Sequence, residues 1–392
     1  MVRKKIVYLD HAATTPVREE VQRAMQPFFS SHYGNPSSLY REGTVARGAL
    51  AEARQTIARI IGAQPETIVF TSGGTEGNNL AIFGLAEANH GRGRKMISTD
   101  IEHHTILEPL KQLEKQGYSL TLLSPNNSGL FDPDKVIAAI TPETVLVTVM
   151  LANNEIGAIE PIALIGRRIL QYRKAHNTAL PYFHTDACQA AGYLDLNVEK
   201  LHVDLMTLNA GKIYGPKGVG MLYVRRGVKI NARQFGGMQE NNLRAGTENI
   251  PGIIGFAKAL ELAQKDKVRE TARLYKLSNY FWKKIKKNFP DAILNGPPIG
   301  RDRLPNNLSV TFPGYDGEQL VIYLDAEGVM CSTASACAAM SDEPSHVLCS
   351  LQIPAQGAKS TLRFSLGKST TKTDLDYAIK ALAKVTKLIK SR

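Results

Sequence analysis

The sequence predicts an α/β fold, with a mostly parallel central sheet covered by helices on both faces and a smaller α+β C-terminal domain. Short apolar runs typical of buried strands alternate with amphipathic helical segments from about residue 67 to residue 210. A second, shorter group of strands and helices follows residue 290. The 392 residues are 43% hydrophobic and 21% charged, which is enough apolar material for one large and one small domain.

Two helices are expected before the alternation begins. The stretch "PVREEVQRAMQPFF" has Pro16 at a plausible first helical position. The stretch "REGTVARGALAEARQTIARIIG" predicts a long amphipathic helix that ends at Gly62. The strands expected next are "TIVFTSG", "KMISTD", "SLTLLS", "TVLVTVMLA", "PYFHTDA", "VDLMTLNA" and "GVGMLYV". The helices expected between them include "GTEGNNLAIFGLAEA", a segment from about Thr105 and "PIALIGRRILQYRKA".

A long helical stretch from about Pro251 leads to the second group, which contains "NLSVTF", "GEQLVIYLDAEG", "TLRFSLG" and a terminal helix. We place the domain boundary near residue 255, and we expect the first ~15 residues to pack on the smaller domain. The predicted large domain therefore covers residues 15–255, and the small domain covers residues 1–14 and 256–392.

Composition excludes several classes of protein. Four cysteines without CxxC spacing are too few for a disulfide framework and do not indicate a metal site. The N-terminus has no apolar signal region, and no run of about 18 apolar residues occurs, so neither export nor membrane insertion is indicated. We expect a cytoplasmic protein.

The formal net charge is +12, and much of the basic excess lies in residues 282–289 and 380–392. Both stretches have helical spacing of apolar residues, so solvated amphipathic helices explain them. The alternative is a patch for an acidic protein or RNA, although no nucleic-acid-binding motif supports RNA.

Polar motifs follow the predicted strands, and in an open parallel sheet ligands bind at the carboxyl ends of the strands. These motifs are "TSGGTEGN", "IEHH", "ANNEIG", "DACQ" and "NAGK". Each has a plain explanation when taken alone: a tight turn, a satisfied loop histidine (His103), a helix cap (Asp186) or a salt-bridged lysine (Lys212). The glycine-rich turn is neither GxGxxG nor a P-loop.

Together the motifs describe a site for pyridoxal 5'-phosphate (PLP). The free amides of the glycine-rich helix start and the Thr75 hydroxyl would hold a phosphate. Asp186 would pair with a pyridinium nitrogen, and the His103 ring would stack on the cofactor. Lys212, placed between two apolar stretches where an ammonium is costly, would form the Schiff base.

The sequence resembles the cysteine desulfurases, fold-type I PLP enzymes of the class V aminotransferase group. The resemblance covers nearly the whole chain. It is carried by "YLDHAATTP", "GNPSS", "VFTSGGTEGNNLAI", "EHHTILEPL", "NNEIGAIEPI", "HTDACQAAG", "VDLMTLNAGKIYGPKGVG", "RAGTEN", "SACAAMSDEPSHVL" and "LRFSLG".

The resemblance implies a homodimer and a role for each matching residue. Lys212 would be the Schiff-base lysine, and His103 would stack on the ring and handle protons. Thr247 would reach the phosphate of the other subunit. Asn35 and Arg363 would clamp the substrate carboxylate, for which arginine is suited. The remaining cofactor contacts would be Gly74 and Thr75 at the phosphate, Asn154 at the ring hydroxyl, Asp186 at the pyridinium nitrogen and Gln189 at the ring.

The sequence departs from the family pattern beside the lysine, where the family usually has histidine immediately before it and often serine three before it. Here those positions are Gly211 and Asn209. Asn209 can still donate an amide N–H to the phosphate, whereas Gly211 offers no side chain. A harmless variant compensated by backbone amides is favoured over weaker PLP retention or a changed role, because one such hydrogen bond is worth about 1.5–3 kcal/mol.

Cys337 lies in "CSTASACAAMSDEPS", a small-residue stretch that cannot pack a core. An inert exposed thiol would explain it, but the match to the family's "SAC" followed by "EPS" implies the nucleophile that takes sulfur from L-cysteine. Cys331, Cys349 and Cys188 are expected to be structural. Cys188 stands two residues from Asp186, close to the expected cofactor.

The resemblance implies conversion of L-cysteine to L-alanine, with sulfur passed as a Cys337 persulfide to an acceptor protein for iron–sulfur clusters or tRNA thiolation. An aminotransferase, which would not need Cys337, and a selenocysteine lyase are the rival enzymes. A third alternative is a PLP-binding but weakly active interaction protein, which Gly211 keeps open.

Overall fold

The computed structural model describes residues 5–333 and 343–390. Its strands, in chain order, are β1 (Val7–Tyr8), β2 (Ile68–Thr71), β3 (Lys95–Thr99), β4 (Ser119–Leu123), β5 (Thr144–Thr148), β6 (Tyr182–Asp186), β7 (Leu205–Asn209), β8 (Gly220–Val224), β9 (Ile293–Leu294), β10 (Asn307–Thr311), β11 (Val329–Met330), β12 (Ser332–Thr333) and β13 (Thr361–Ser365).

Helices alternate with these strands. They are α1 (Glu19–Met25), α2 (Pro27–Ser30), α3 (Arg41–Ile61), α4 (Gly74–Ala88), α5 (His104–Lys115), α6 (Pro133–Ala138), α7 (Ile162–Ala175), α8 (Val198–Leu201), α9 (Ile250–Asn288), α10 (Gly317–Ala326), α11 (His346–Ser350), α12 (Ala355–Lys359) and α13 (Lys372–Lys390).

The central sheet has seven strands in the order β2-β8-β7-β6-β5-β3-β4. Strand β8 runs antiparallel to both of its neighbours, and the other pairs are parallel. Strands β5 to β8 are buried along their whole length, apart from the half-buried Asn209 at the end of β7, because helices cover both faces. The predicted α/β fold is confirmed, and the carboxyl ends of six strands share one edge.

A smaller antiparallel sheet, ordered β12-β13-β10-β9, forms the second core with α10, α13 and the end of α9. The N-terminal segment joins this core: β1 pairs in parallel with β11, and Asp10 forms a bridge with Ser365. Helix α9 contributes buried side chains such as Phe256 to the large core and Phe281 to the small one. The predicted domain limits stay a prediction.

The expected helix start at Pro16 is wrong, because α1 begins at Glu19. Backbone hydrogen bonds hold the preceding segment along the chain near the lysine. The Thr15 N–H donates to the Gly211 carbonyl at 3.0 Å, and the Arg18 N–H donates to the Tyr214 carbonyl at 3.1 Å. These tertiary bonds outweigh the local preference of proline for a first helical turn. The predicted end of α3 is confirmed, since Gly62 caps it with a left-handed φ of 70°.

Among the described residues, no helix combines the length and the apolar character that crossing a membrane requires.

Candidate active site

A cleft of about 400 Å³ lies at the carboxyl edge of the central sheet. Nine of the residues predicted for the site line it: Gly74, Thr75, His103, Asn154, Asp186, Gln189, Asn209, Lys212 and Arg363. They come from segments that follow five different strands, together with β13 of the small sheet. The fold therefore brings together residues that are up to 289 positions apart in the chain, between Gly74 and Arg363.

Two of the predicted residues that the structure describes are not part of this arrangement, and a third lies outside the described residues. Asn35 and Thr247 are exposed and do not line the cleft. The Asn35 side chain instead accepts a hydrogen bond from the Ser37 N–H at 2.9 Å. Cys337 lies outside the described residues.

Lys212 is half-buried at the end of a short 3-10 turn, Ala210–Lys212, directly after β7. Its Nζ donates to the carbonyl oxygens of Ala12 and Ala13 at 2.9 and 2.7 Å. The Gln189 side chain also donates to the Ala12 carbonyl, at 2.9 Å. The N-terminal segment that joins the small sheet thus supplies acceptors for the ammonium at the floor of the cleft.

Asp186 ends β6, and both of its carboxylate oxygens accept hydrogen bonds. Oδ2 accepts from the Asn78 amide at 2.7 Å, and Oδ1 accepts from the Cys188 N–H at 2.9 Å. The carboxylate is 8% exposed, so a cation placed against it would be screened weakly. Such a carboxylate suits a protonated ring nitrogen.

His103 caps the N-terminus of α5, and its Nδ1 accepts from the Thr105 N–H at 3.2 Å. Burial lowers the pKa of His103. The bond to Nδ1 and the lowered pKa both favour a neutral ring, which can stack on a flat ligand or exchange a proton with it.

The start of α4 forms the opposite end of the cleft. Its amides begin at Gly74, after Gly73 in an extended conformation open only to glycine, with φ of 154°. The Asn209 Oδ1 accepts from the Gly211 N–H at 3.0 Å, which leaves the Nδ2 group turned toward α4. A Cβ at Gly74 would lie 3.7 Å from that Nδ2 and 3.0 Å from the Cys188 sulfur. Amides and Nδ2 together form a donor set for an anion.

Arg363 lies on β13 and is only 3% exposed. Its Nη2 donates to the Asp10 carboxylate at 2.8 Å, and its Nη1 donates to the Asn154 carbonyl at 3.3 Å. A guanidinium has five N–H donors, so these two bonds leave capacity for a substrate carboxylate.

Several titratable residues of the site region escaped the sequence analysis. Burial raises the pKa of Glu102 to about 8 and that of Glu155 to about 7. Burial lowers the pKa of His184 to about 4. Its Nδ1 is hydrogen-bonded to the Thr148 hydroxyl at 2.8 Å, and its Nε2 to the Thr207 hydroxyl at 3.0 Å. His346 lines the cleft, with its ring 4.8 Å from that of His104. The motifs "EHH", "NNE", "HTDACQAAG" and "EPSH" contain Glu102, Glu155, His184 and His346, but the burial of these side chains could not be deduced from the motifs.

The described cysteines differ in exposure. Cys188 and Cys331 are buried, and burial raises the pKa of both thiols. Cys349 is exposed rather than packed inside its helix. Cys188 therefore lies at the cleft as a protonated, weakly reactive thiol.

Residues 7–378 match the family described as aminotransferase class-V. The chain belongs to the class-V aminotransferase family. Among curated class-V relatives, the cysteine desulfurase IscS of Dictyoglomus turgidum is 47% identical over 382 residues, which cover 97% of this chain and 95% of that protein.

Two solved structures resemble most of the chain. A NifS-like protein superposes with a TM-score of 0.91 at 33% identity and covers 98% of this chain and all of its own. SspA in complex with cysteine superposes with a TM-score of 0.79 at 35% identity, covering 92% of this chain and 98% of its own. The family resemblance and the fold predicted from the sequence are thereby confirmed.

Proposed function

We propose that the protein is a PLP-dependent cysteine desulfurase, which converts L-cysteine to L-alanine and retains the sulfur as a persulfide on Cys337. The observation that carries this proposal is the convergence of Lys212, Asp186, His103 and Arg363 in one cleft. The names of the relatives support the substrate: one is called a cysteine desulfurase, and another was solved in complex with cysteine.

The donor set of the cleft fits PLP. The amides at the start of α4 and the Asn209 Nδ2 suit a phosphate, and Asp186 suits the pyridinium nitrogen. Lys212 would hold the cofactor covalently, and His103, Asn154 and Gln189 would contact its ring. When bound, PLP supplies a sink for the electrons released at the substrate Cα.

Gly211 does not prevent this fit. A Cβ at this position would meet its nearest neighbour, the Asn209 Oδ1, at 3.5 Å, which is an ordinary contact. The space around Gly211 would therefore accept a side chain. The glycine lacks the side-chain donor that the family usually has at this position, and it does not distort the turn. The Gly211 N–H has its own task, because it orients the Asn209 amide at 3.0 Å.

The residues of the chain would bind the substrate and move its protons. The Arg363 guanidinium binds the carboxylate of L-cysteine through donors that Asp10 and Asn154 leave unused. Asn35 is proposed to assist from its exposed loop. The Nζ of Lys212, as a free amine, would take the proton from the substrate Cα, and the neutral His103 ring would accept or donate a second proton.

The Cys337 thiolate then attacks the sulfur of the substrate. A sulfur–sulfur bond forms, the substrate carbon–sulfur bond breaks, and the electron pair of that bond is protonated at carbon to give alanine. Overall, L-cysteine and the Cys337 thiol become L-alanine and the Cys337 persulfide. Cys188 is unsuited to this step, since burial raises its pKa well above that of an ordinary thiol.

We further propose the assembly and setting that this activity needs. Thr247, exposed in the single chain, would complete the phosphate site of a second copy in a homodimer. A sulfur-acceptor protein serving iron–sulfur cluster assembly or tRNA thiolation would take the persulfide sulfur, and the enzyme would work in the cytoplasm.

Alanine release from L-cysteine, measured on PLP-loaded protein with a thiol reductant, tests the activity. Wild type and Cys349→Ala should release alanine at equal rates, because Cys349 is exposed and away from the cleft. Cys337→Ala should lose at least about 99% of the rate, as expected when a nucleophile is removed. Full alanine release by Cys337→Ala would contradict the persulfide route. Transfer of the amino group of L-cysteine to an oxo acid without alanine release would favour an aminotransferase, and faster alanine release from L-selenocysteine than from L-cysteine would favour a selenocysteine lyase.

A further inference from the structure

The two lysine-rich stretches of the sequence lie side by side in the fold. Residues 282–288 end α9, and residues 380–390 end α13. These two helices pack against each other. Their apolar sides, including Phe281, Ile285 and Ile379, are buried in the small core. A surface recess between the helices is lined by Lys284, Lys287, Asn288, Asp376, Ile379 and Lys380.

The acidic groups near this recess are already engaged. Asp376 accepts a hydrogen bond from the Tyr280 hydroxyl and lies 3.6 Å from the Lys284 ammonium. Glu327 pairs with Lys384 at 2.8 Å. The exposed lysines 283, 287, 380 and 387 have no ion pair within the part of the chain that the structure describes. These four residues and the recess, which Lys287 and Lys380 line, are together called the lysine face.

We propose that the lysine face is a docking surface for an acidic helical segment of a partner protein. Lys283 and Lys287 are four residues apart on α9. On α13, Lys380 and Lys387 are seven apart, with Lys384, which is paired with Glu327, between them. Such spacing places each row on one side of its helix, with neighbouring positions about 5–6 Å apart. Carboxylates at the same spacing on an acidic helix in the recess would meet both rows.

The structure favours an acidic protein over RNA. Proteins that bind single-stranded RNA offer aromatic faces on which bases stack, often with arginine. Here the Tyr280 ring has Lys372 at 4.7 Å and Lys284 at 5.3 Å from its centroid, and Lys286 lies 6.0 Å from that of Trp282. Lysine ammonium groups lie over both aromatic rings, where a base would otherwise stack. The ammonium groups of the face are compact charges, which suit carboxylates.

Binding of two charge-matched probes tests this proposal and needs no catalytic turnover. The probes are a fluorescent poly-L-glutamate and a poly-uridine RNA, each of about 20 units, titrated at low and moderate salt. The face variant is Lys283→Glu/Lys287→Glu/Lys380→Glu. The control variant changes the same number of exposed lysines elsewhere, Lys115→Glu/Lys135→Glu/Lys174→Glu, which alters the formal charge equally.

Wild type should bind poly-L-glutamate, and the face variant should bind it about tenfold more weakly or worse, while the control variant changes by less than about threefold. A triple Lys→Gln variant of the face should lose less than the Lys→Glu variant, because it removes charge without reversing it. Equal losses in the face and control variants would refute a local surface. Tighter binding of poly-uridine than of poly-L-glutamate, lost in the face variant, would assign the face to nucleic acid. Absence of binding to both probes would also overturn the proposal.

Discussion

The buried carboxyl of Glu102 makes the stability of this protein depend on pH. Its Oε1 accepts from the Thr99 hydroxyl at 2.8 Å and from the Met150 N–H at 2.7 Å. Its Oε2 has no hydrogen-bond partner among the described residues, and the side chain is fully buried. Burial, the largest cause, raises the pKa from 4.5 to about 8, so the folded protein holds Glu102 protonated at neutral pH.

The sign and size of the effect follow from proton linkage. Between pH 4.5 and pH 8 the unfolded chain ionises this carboxyl and the folded protein does not, so the folded state binds more protons. The contribution is therefore fully present below pH 4.5 and is lost as pH rises toward 8. Each pH unit inside this window costs about 1.4 kcal/mol, so about 2 kcal/mol should be lost between about pH 6 and 8.

Glu102→Gln should remove this pH dependence. The amide oxygen can still accept from Thr99 and Met150, and the side chain cannot ionise. The free energy of unfolding, measured by urea titration across about pH 6–8, should fall by about 2 kcal/mol less in the variant than in wild type. Glu114→Gln, at an exposed position of α5, is the control and should follow wild type.

Parallel pH profiles of Glu102→Gln and wild type would refute the reasoning. They would mean that Glu102 ionises in the folded protein, or that the folded and unfolded chains bind protons equally at this site. The other buried carboxyls, such as Glu155 and Glu160, are present in both proteins, so their contributions cancel in the comparison.

Two further substitutions test other contacts. Asn209→Ala should weaken PLP affinity by about 10- to 100-fold, because one hydrogen bond to a charged group is worth about 1.5–3 kcal/mol; an absorbance titration with PLP measures it, and unchanged affinity would remove Asn209 from the phosphate site. Gly62→Ala should lower the free energy of unfolding by about 1 kcal/mol or more, since Gly62 has φ of 70° and a Cβ there would lie 2.4 Å from the Asn197 amide nitrogen. Gly48→Ala, inside the same helix and with open space at the Cβ, should instead stabilise by about 0.5–1 kcal/mol, and a loss at both positions would contradict the backbone argument.

Much of the site could be predicted because parallel strands end at the same edge. Once "DACQ" and "NAGK" were assigned to the ends of neighbouring strands, Asp186 and Lys212 had to meet, and they line one cleft. The end of α3 at Gly62 could also be predicted, because a glycine that ends a helix in the left-handed conformation is a local sequence signal.

Other features depend on contacts that no local pattern contains. The absence of helix at residues 14–18 follows from the bonds of Thr15 to Gly211 and of Arg18 to Tyr214, about 200 positions away. The raised pKa of Glu102 arises from burial by several strands and helices together, while the sequence shows only a glutamate before a histidine. The roles proposed for Asn35 and Thr247 would require a second copy or a bound substrate.

Helix α9 runs without interruption from Ile250 to Asn288, a length of about 58 Å at the usual helical rise. Its first half fills the large core and its second half fills the small one. A gene truncated near residue 255, however natural that boundary is in the sequence, would cut this rod and expose apolar side chains on both fragments. The two halves of the molecule should therefore be produced and purified together, and a protease that nicks α9 should inactivate both at once.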